Sequence, residues 1–362
     1  MSKTASSYRG CMLGMAIGDA MGYTVDNKSW EDICESYGPN GLLGYDLQGD
    51  YAEVTSYTQT AAYVANGLLL ALTRGRQDIY LKYVTMAMKE WYRRQHFPRD
   101  PEKPHCWVAQ LPELRRRCCR DAWMQDALRF DTLGTPEKPI NRATTSGGLT
   151  GAAMLGVFYD PQRMDISQLG TLAVQTVALT HGNPETFLTG AVLAHLMASV
   201  MQNPKGDLQA QVLEAAHRVE IQYGIRYSQA TQIAGLMEKA VELSKDLDMT
   251  ALVAMTMLEC TTAAQCLAGA VYTCLIHINN FDEAMIAAVN HSGRSAAVGA
   301  IVGMILGARM GEEALPEFYV ESLDVLEPLR QLGDDLFKGT PTTSLFDDDW
   351  DHKYVQGLPI QR

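Results

Sequence analysis

Glycine at every fourth position is the feature that most limits what this chain can become. Gly10, Gly14 and Gly18 recur near the start, and Gly299, Gly303, Gly307 and Gly311 recur near the end, each set inside an apolar run of helical period. At that spacing the glycines share one face of a helix. Each weakens the helix by roughly 1 kcal/mol relative to alanine, so such a stripe needs a close helix-to-helix approach to offset the loss. Two stripes therefore predict two central helices, packed at short distance.

The rest of the chain repeats the helical period, and strict alternation over four to eight residues is hard to find. The expected fold class is all-α, a single compact multi-helix domain over residues 1–337 followed by a C-terminal extension, 338–362. The spacing predicts helices over Tyr8 to Ala20, Thr58 to Thr73, Ile79 to Arg94, Gly148 to Phe158, Ile166 to Leu179 and Pro184 to Met201. Further helices are expected over Leu208 to Gln222, Ser228 to Lys245, Thr262 to Ile278, Phe281 to Val289 and Ser295 to Met310. Asp165 with Gln168 reads as a capping box, and Asn183 before Pro184 as a cap with a first-turn proline. Between His96 and Thr145 prolines break the pattern, which suits short helices lying over one face of the core. The extension carries an acidic cluster at Asp347 to Asp351 among Phe346, Trp350 and Tyr354. It reads either as a strap across the surface or as a contact for a partner subunit.

Charge and cysteine usage exclude several function classes. A formal net charge of −12 repels phosphate backbones and anionic lipid surfaces at long range, so neither nucleic acid nor a membrane is an expected partner. The basic run Arg115 to Arg120 reads as a solvated face. The eight cysteines form no CxxC pair and no zinc-like Cys/His spacing. They read as reduced core residues, and with no apolar leader before Tyr8 the expected location is the cytoplasm. The longest apolar run, Ala296 to Ala308, is too short to span a bilayer. Association into a homo-oligomer is left open.

Three segments taken together carry a family signal: "GCMLGMAIGDAMGYTVD" near the start, "ALTHGNPETFLTGAVLA" in the middle and "AAVNHSGRSAAVGAIVGMILGA" near the end. In order and separation the chain resembles the ADP-ribosylglycohydrolases from about Tyr8 to Phe337. The resemblance implies one all-α domain whose cleft binds ADP-ribose beside two magnesium ions held chiefly by carboxylates.

The family takes those carboxylates from two motifs. The first, threonine, two aspartates, threonine and glutamine, falls here on Thr55, Ser56, Tyr57, Thr58 and Gln59. The second, two glycines followed by aspartate, serine, aspartate and hydroxyl residues, falls on Ser292, Gly293, Arg294, Ser295, Ala296, Ala297 and Val298. All four aspartates are replaced, and of the expected ligands only Thr58 and Ser295 remain. Two neutral hydroxyls do not compete with water for a hard dication, so no metal site and no magnesium cofactor are expected. Thr150 and Gly151 stand where the family usually carries a methionine and an arginine.

Parts of the binding surface keep the family pattern. Gly18, Asp19 and Gly22 retain a motif whose aspartate either braces neighbouring loops or takes part in chemistry. His181 keeps its place at a helix end, as a nucleotide contact or as a satisfied structural histidine. Ser292 and Gly293 precede a helix whose free N–H groups would suit a phosphate, and Gly147 with Gly148 would allow a similar backbone approach. Arg294 puts a cation where a metal ligand would be. It either pairs with a ligand phosphate while Tyr57 stacks on it, or points to solvent.

The expected ligand-binding set is therefore Tyr57, Thr58, Gly147, Gly148, His181, Ser292, Gly293, Arg294 and Ser295, with an ADP-ribose-like small molecule as partner. Three functions follow. The first is a pseudoenzyme that binds ADP-ribose or a related nucleotide without the usual hydrolysis. The second is a metal-independent hydrolase of an N- or O-ribosyl bond, with Asp19, Asp26, Asp50 or Glu53 as candidate acids and bases. The third is a structural or interaction protein built on a disused cleft.

Overall fold

The two glycine stripes meet each other. In the computed structural model, which describes residues 3–47, 49–75, 79–97, 102–119, 121–339 and 347–355, α1 (Ala5–Val25) lies antiparallel to a helix spanning Ser295–Met310. A methyl group added to Gly10, Gly14 or Gly18 would overlap the carbonyl oxygen of Gly307, Gly303 or Gly299 respectively. Gly22 stands in the same way against Ser295. The backbones are in contact along the whole pair, which is the compensation the glycines require.

Helices in chain order complete the architecture. After α1 come α2 (Trp30–Tyr37), α3 (Ser56–Thr73), α4 (Tyr80–His96), α5 (Ala122–Arg129), α6 (Leu149–Phe158), α7 (Ile166–Ala178) and α8 (Pro184–Gln202). There follow α9 (Leu208–Tyr223), α10 (Gln229–Leu243), α11 (Ala251–Leu258), α12 (Ala263–Ile276), α13 (Phe281–Val289), α14 (Ser295–Met310), α15 (Glu317–Glu321) and α16 (Leu326–Lys338). An isolated bridge between Ala52 and Leu323 is the sole β pairing among the described residues. Helix α3 packs on α4 and α6, α6 and α7 pack on α8, and α9, α10 and α12 continue from α8 round to α14, which α13 also covers. Helix α6 is buried along its whole length, as an all-apolar helix must be. Among the described residues no helix is long and apolar enough to cross a membrane.

Every predicted helix forms, with ends shifted by up to a few residues. The predicted capping box at Asp165 and Gln168 is present, and Asn183 caps α8 ahead of Pro184. Periodicity did not predict α2, α5, α11, α15 or α16. Helix α16 carries Pro328 in its first turn, where proline is tolerated, and Gly333, which disfavours a helix locally but lets it close on α1, where an added Cβ would lie 3.1 Å from the Arg9 backbone. The described part of the tail is a strap: Trp350 and Tyr354 are buried, with the Trp350 indole donating to Thr73 (3.2 Å) and the Tyr354 hydroxyl to Asp335 (2.7 Å). Phe346 lies outside the described residues.

Candidate active site

Antiparallel packing of α1 on α14 sets the end of α1 beside the start of α14 and beneath the start of α3. From α1, Asp19 reaches the first turn of α3 and accepts four hydrogen bonds there. The donors are the Thr55 N–H (2.9 Å) and hydroxyl (2.6 Å) and the Thr58 N–H (3.1 Å) and hydroxyl (2.7 Å). Asp19 has no exposed surface, and burial raises its carboxyl above the ordinary range against the pull of those bonds. It is a brace that satisfies the opening N–H groups of α3, with no acceptor facing a ligand. The same bonds take the Thr58 hydroxyl proton, and Thr58 has no exposed surface.

One residue away, Tyr57 turns its phenol toward the loop before α6, where it shares a 2.8 Å hydrogen bond with Ser146. The Thr150 hydroxyl donates to the Tyr57 carbonyl (2.7 Å) from the other side. Asp26, Cys266 and Asp121 lie within electrostatic reach of the phenol, whose pKa burial lifts well above its usual value. Ser146 also bonds Cys266, so phenol, hydroxyl and thiol form one neutral cluster.

At the start of α14 the backbone is already engaged. The Gly293 N–H donates to His291 Nδ1 (3.0 Å), the Arg294 N–H to the Cys260 carbonyl (2.8 Å) and the Ala296 N–H to Asp26 Oδ1 (3.2 Å). A phosphate expected at this turn would find those donors taken, and the helix N-terminus already carries a carboxylate. Ser292 Oγ accepts from the Trp30 N–H at 2.8 Å. Ser295 and Ala296 are buried, whereas Arg294 is half-buried and, among the described residues, its guanidinium makes no ion pair and does not sit over the Tyr57 ring. Of the two placements open to Arg294, the stack on Tyr57 is not formed.

The glycines before α6 serve side chains. A Cβ on Gly147 would crowd the Asp121 carboxylate, and one on Gly148 would lie 3.3 Å from His181 Nδ1. His181 is wholly buried and shares hydrogen bonds from Nε2 with Asp121 and Thr145, both at 3.1 Å, and from Nδ1 with Thr180 at 2.8 Å. Burial opposes the Asp121 charge, but the bond and charge of His181, the Thr145 hydroxyl and the Met124 N–H outweigh it and hold the carboxyl at about 2. Both ring nitrogens of His181 are thus bonded within the protein. Asp50 and Glu53 are exposed and belong to a different groove of about 640 Å³, whose walls include Arg115, Arg117 and Asp324. Glu53 pairs there with Arg116 at 3.1 Å.

A sequence profile for ADP-ribosylglycohydrolase matches residues 1–345. The chain belongs to the ADP-ribosylglycohydrolase family. Among solved structures, one titled "ADP-ribosylglycohydrolase-related protein complex" superposes with a TM-score of 0.61 at 21% identity, covering 93% of this chain and 98% of that one. At that identity the likeness speaks for the fold. Among curated proteins, none matches this chain.

Ser56 and Tyr57 open α3, and Arg294 and Ala296 stand at the start of α14, both beside the end of α1. What sequence reasoning missed is the lining: Asp121, Thr145, Ser146 and Cys266. Asp121 sits in the proline-broken stretch, where no period points to it, and its signal was its place as cap of the short α5.

Proposed function

We propose that this chain is a non-hydrolysing ADP-ribosylglycohydrolase homologue that binds an ADP-ribose-type nucleotide. The observation that carries the reading is the Tyr57–Ser146 hydrogen bond (2.8 Å) beside the commitment of Thr58 to Asp19. A phenol fills the place of a ligand carboxylate, and the Thr58 hydroxyl that would remain is a neutral oxygen with no exposed surface. Magnesium takes about six oxygen ligands with carboxylates among them. The donors at this site do not fit it. Asp26, the carboxylate at the start of α14, caps Ala296 and accepts from the Asn27 amide (2.7 Å), and among the described residues no three His, Cys, Asp or Glu side chains gather to hold a metal. No step of the proposed function runs through a metal.

What remains reachable is Tyr57, Asp26, Gly148 and Arg294, with Ser292 exposed. Of these Arg294 is suited to a diphosphate, since a guanidinium forms paired charge-assisted hydrogen bonds. Calorimetry with ADP-ribose, with magnesium or with chelator, tests the reading alongside a product assay. Binding should be indifferent to magnesium, without turnover, and Arg294→Ala should weaken it by about tenfold or more, as loss of a charged hydrogen bond does. Magnesium-dependent release of ADP-ribose from a modified protein would refute it, and undiminished binding by Arg294→Ala would remove the arginine from the site. Complete absence of binding would favour an interaction protein. Turnover without metal, lost in Asp26→Asn, would favour the metal-independent hydrolase, because Asp26 alone of the four candidate acids is at the site and partly open.

A further inference from the structure

A second cavity, remote from this site, is marked by a buried imidazole with no partner. His195 lines a cavity of about 210 Å³ between α8 and α9, together with Tyr159, Ile166, Gln202, Glu214 and Arg218. The residue is 4% exposed and neither ring nitrogen has a hydrogen-bond partner. It stands eleven residues beyond Pro184 in α8, roughly 16 Å along the helix axis from the His181 end.

Buried polar side chains are nearly always bonded, so an imidazole with both nitrogens bare at a cavity wall calls for an occupant. Helix α7 comes close to the ring: a Cβ on Gly170 would lie 2.8 Å from Nε2. Burial pushes the His195 pKa down to about 4, so at neutral pH the ring is uncharged and offers one N–H donor and one acceptor. The charged groups facing it balance each other, since Arg218 Nε donates to Glu214 Oε1 at 3.1 Å. Gln202 spends its amide only on a long 3.5 Å contact to the Tyr159 carbonyl, and so can turn to a ligand at little loss. Ile166, Ala198 and Ala215 supply apolar wall.

We propose that this cavity is a binding site for a small uncharged polyol. A hydroxyl both donates and accepts, so it can satisfy either nitrogen of a neutral imidazole. A charged ligand would meet both signs at once, because Arg218 and Glu214 are paired with each other on the cavity wall and together carry no net charge. A volume of about 210 Å³ admits a chain of three to five hydroxylated carbons.

The test is the imidazole nitrogen spectrum of His195 in the full-length protein, titrated with glycerol, erythritol and xylitol, with acetate and methylammonium as charged probes of similar bulk. At least one polyol should shift the His195 signals saturably and the charged probes should not. The same polyol should raise the melting temperature of the parent by more than it raises that of His195→Leu, both proteins sharing the general stabilisation by excluded osmolytes. His195→Leu removes both bare nitrogens at similar bulk and should melt at or above the parent without ligand. If it fails to fold, His195→Gln, which keeps a donor and an acceptor, should retain a weakened response. Linear drift without saturation for every polyol, equal saturation by acetate, or equal polyol stabilisation of parent and His195→Leu would each overturn the assignment.

Discussion

Placing one methyl group on the α1–α14 seam gives a direct measure of what holds the fold together. In Gly14→Ala an ideal Cβ would lie 2.8 Å from the Gly303 carbonyl carbon, closer still to its oxygen, and 3.4 Å from the Gly307 Cα. These atoms are backbone and cannot rotate aside, so one helix must move. Overpacking of this kind costs up to about 3 kcal/mol, while the better helix propensity of alanine returns about 1 kcal/mol. The expected net loss is about 2 kcal/mol. At roughly 2.1 cal/mol/K per residue, a chain of 362 residues has an unfolding entropy near 0.8 kcal/mol/K, so the melting temperature should fall by about 2 to 3 °C. Gly235→Ala is the internal control, since Gly235 lies in α10 with nothing within 4 Å of an added Cβ. There the propensity gain of about 1 kcal/mol should raise the melting temperature by about 1 °C. Calorimetric melting of both variants decides the matter, and a Gly14→Ala protein as stable as Gly235→Ala would refute the claim that the stripe exists for backbone contact. Adding Gly303→Ala to Gly14→Ala should cost less than the two singles summed, because the first displacement already opens the same seam.

Asp19→Asn replaces one of two accepting oxygens with a donor that faces the N–H and hydroxyl groups at the start of α3. A loss of about 3 kcal/mol is expected from the unmade bonds, read by urea unfolding, and a loss below about 1 kcal/mol would show that Asp19 is not the brace. Asp121 is held at about 2 against 3.8 in the unfolded chain, so its stabilisation is present above about pH 4 and is lost as pH falls toward 2. Asp121→Asn should therefore be less stable than the parent by about 2 kcal/mol near pH 5, with the gap closing toward pH 2; a gap that does not change with pH would contradict the coupling to His181. Chelator should leave the melting curve where it was, and a large drop would reveal a structural metal outside the donors described above.

How much of this was legible beforehand depended on how far a signal reaches along the chain. Helix period is a local property, and it found α1, α3, α4, α6 to α10 and α12 to α14, along with the caps at Asp165 and Asn183. Where a local signal opposed the outcome, as with Gly333 in α16, packing against α1 prevailed. The glycine stripes announced close approach because a run without side chains is destabilising unless something lies against it. They did not announce that each stripe would be the other's partner, for a stripe records the shape of its own face only. The family motifs located the starts of α3 and α14 and pointed to Ser56, Tyr57, Arg294 and Ala296 there. Tertiary structure alone assigned Asp19 to the Thr55 and Thr58 donors, joined Asp121 to His181, tied Tyr57 to Ser146 and left His195 bare beside a cavity. Each of those outcomes turns on hydrogen-bond geometry between residues distant in sequence, and a periodic pattern carries no record of the groups that folding will bring within 3 Å.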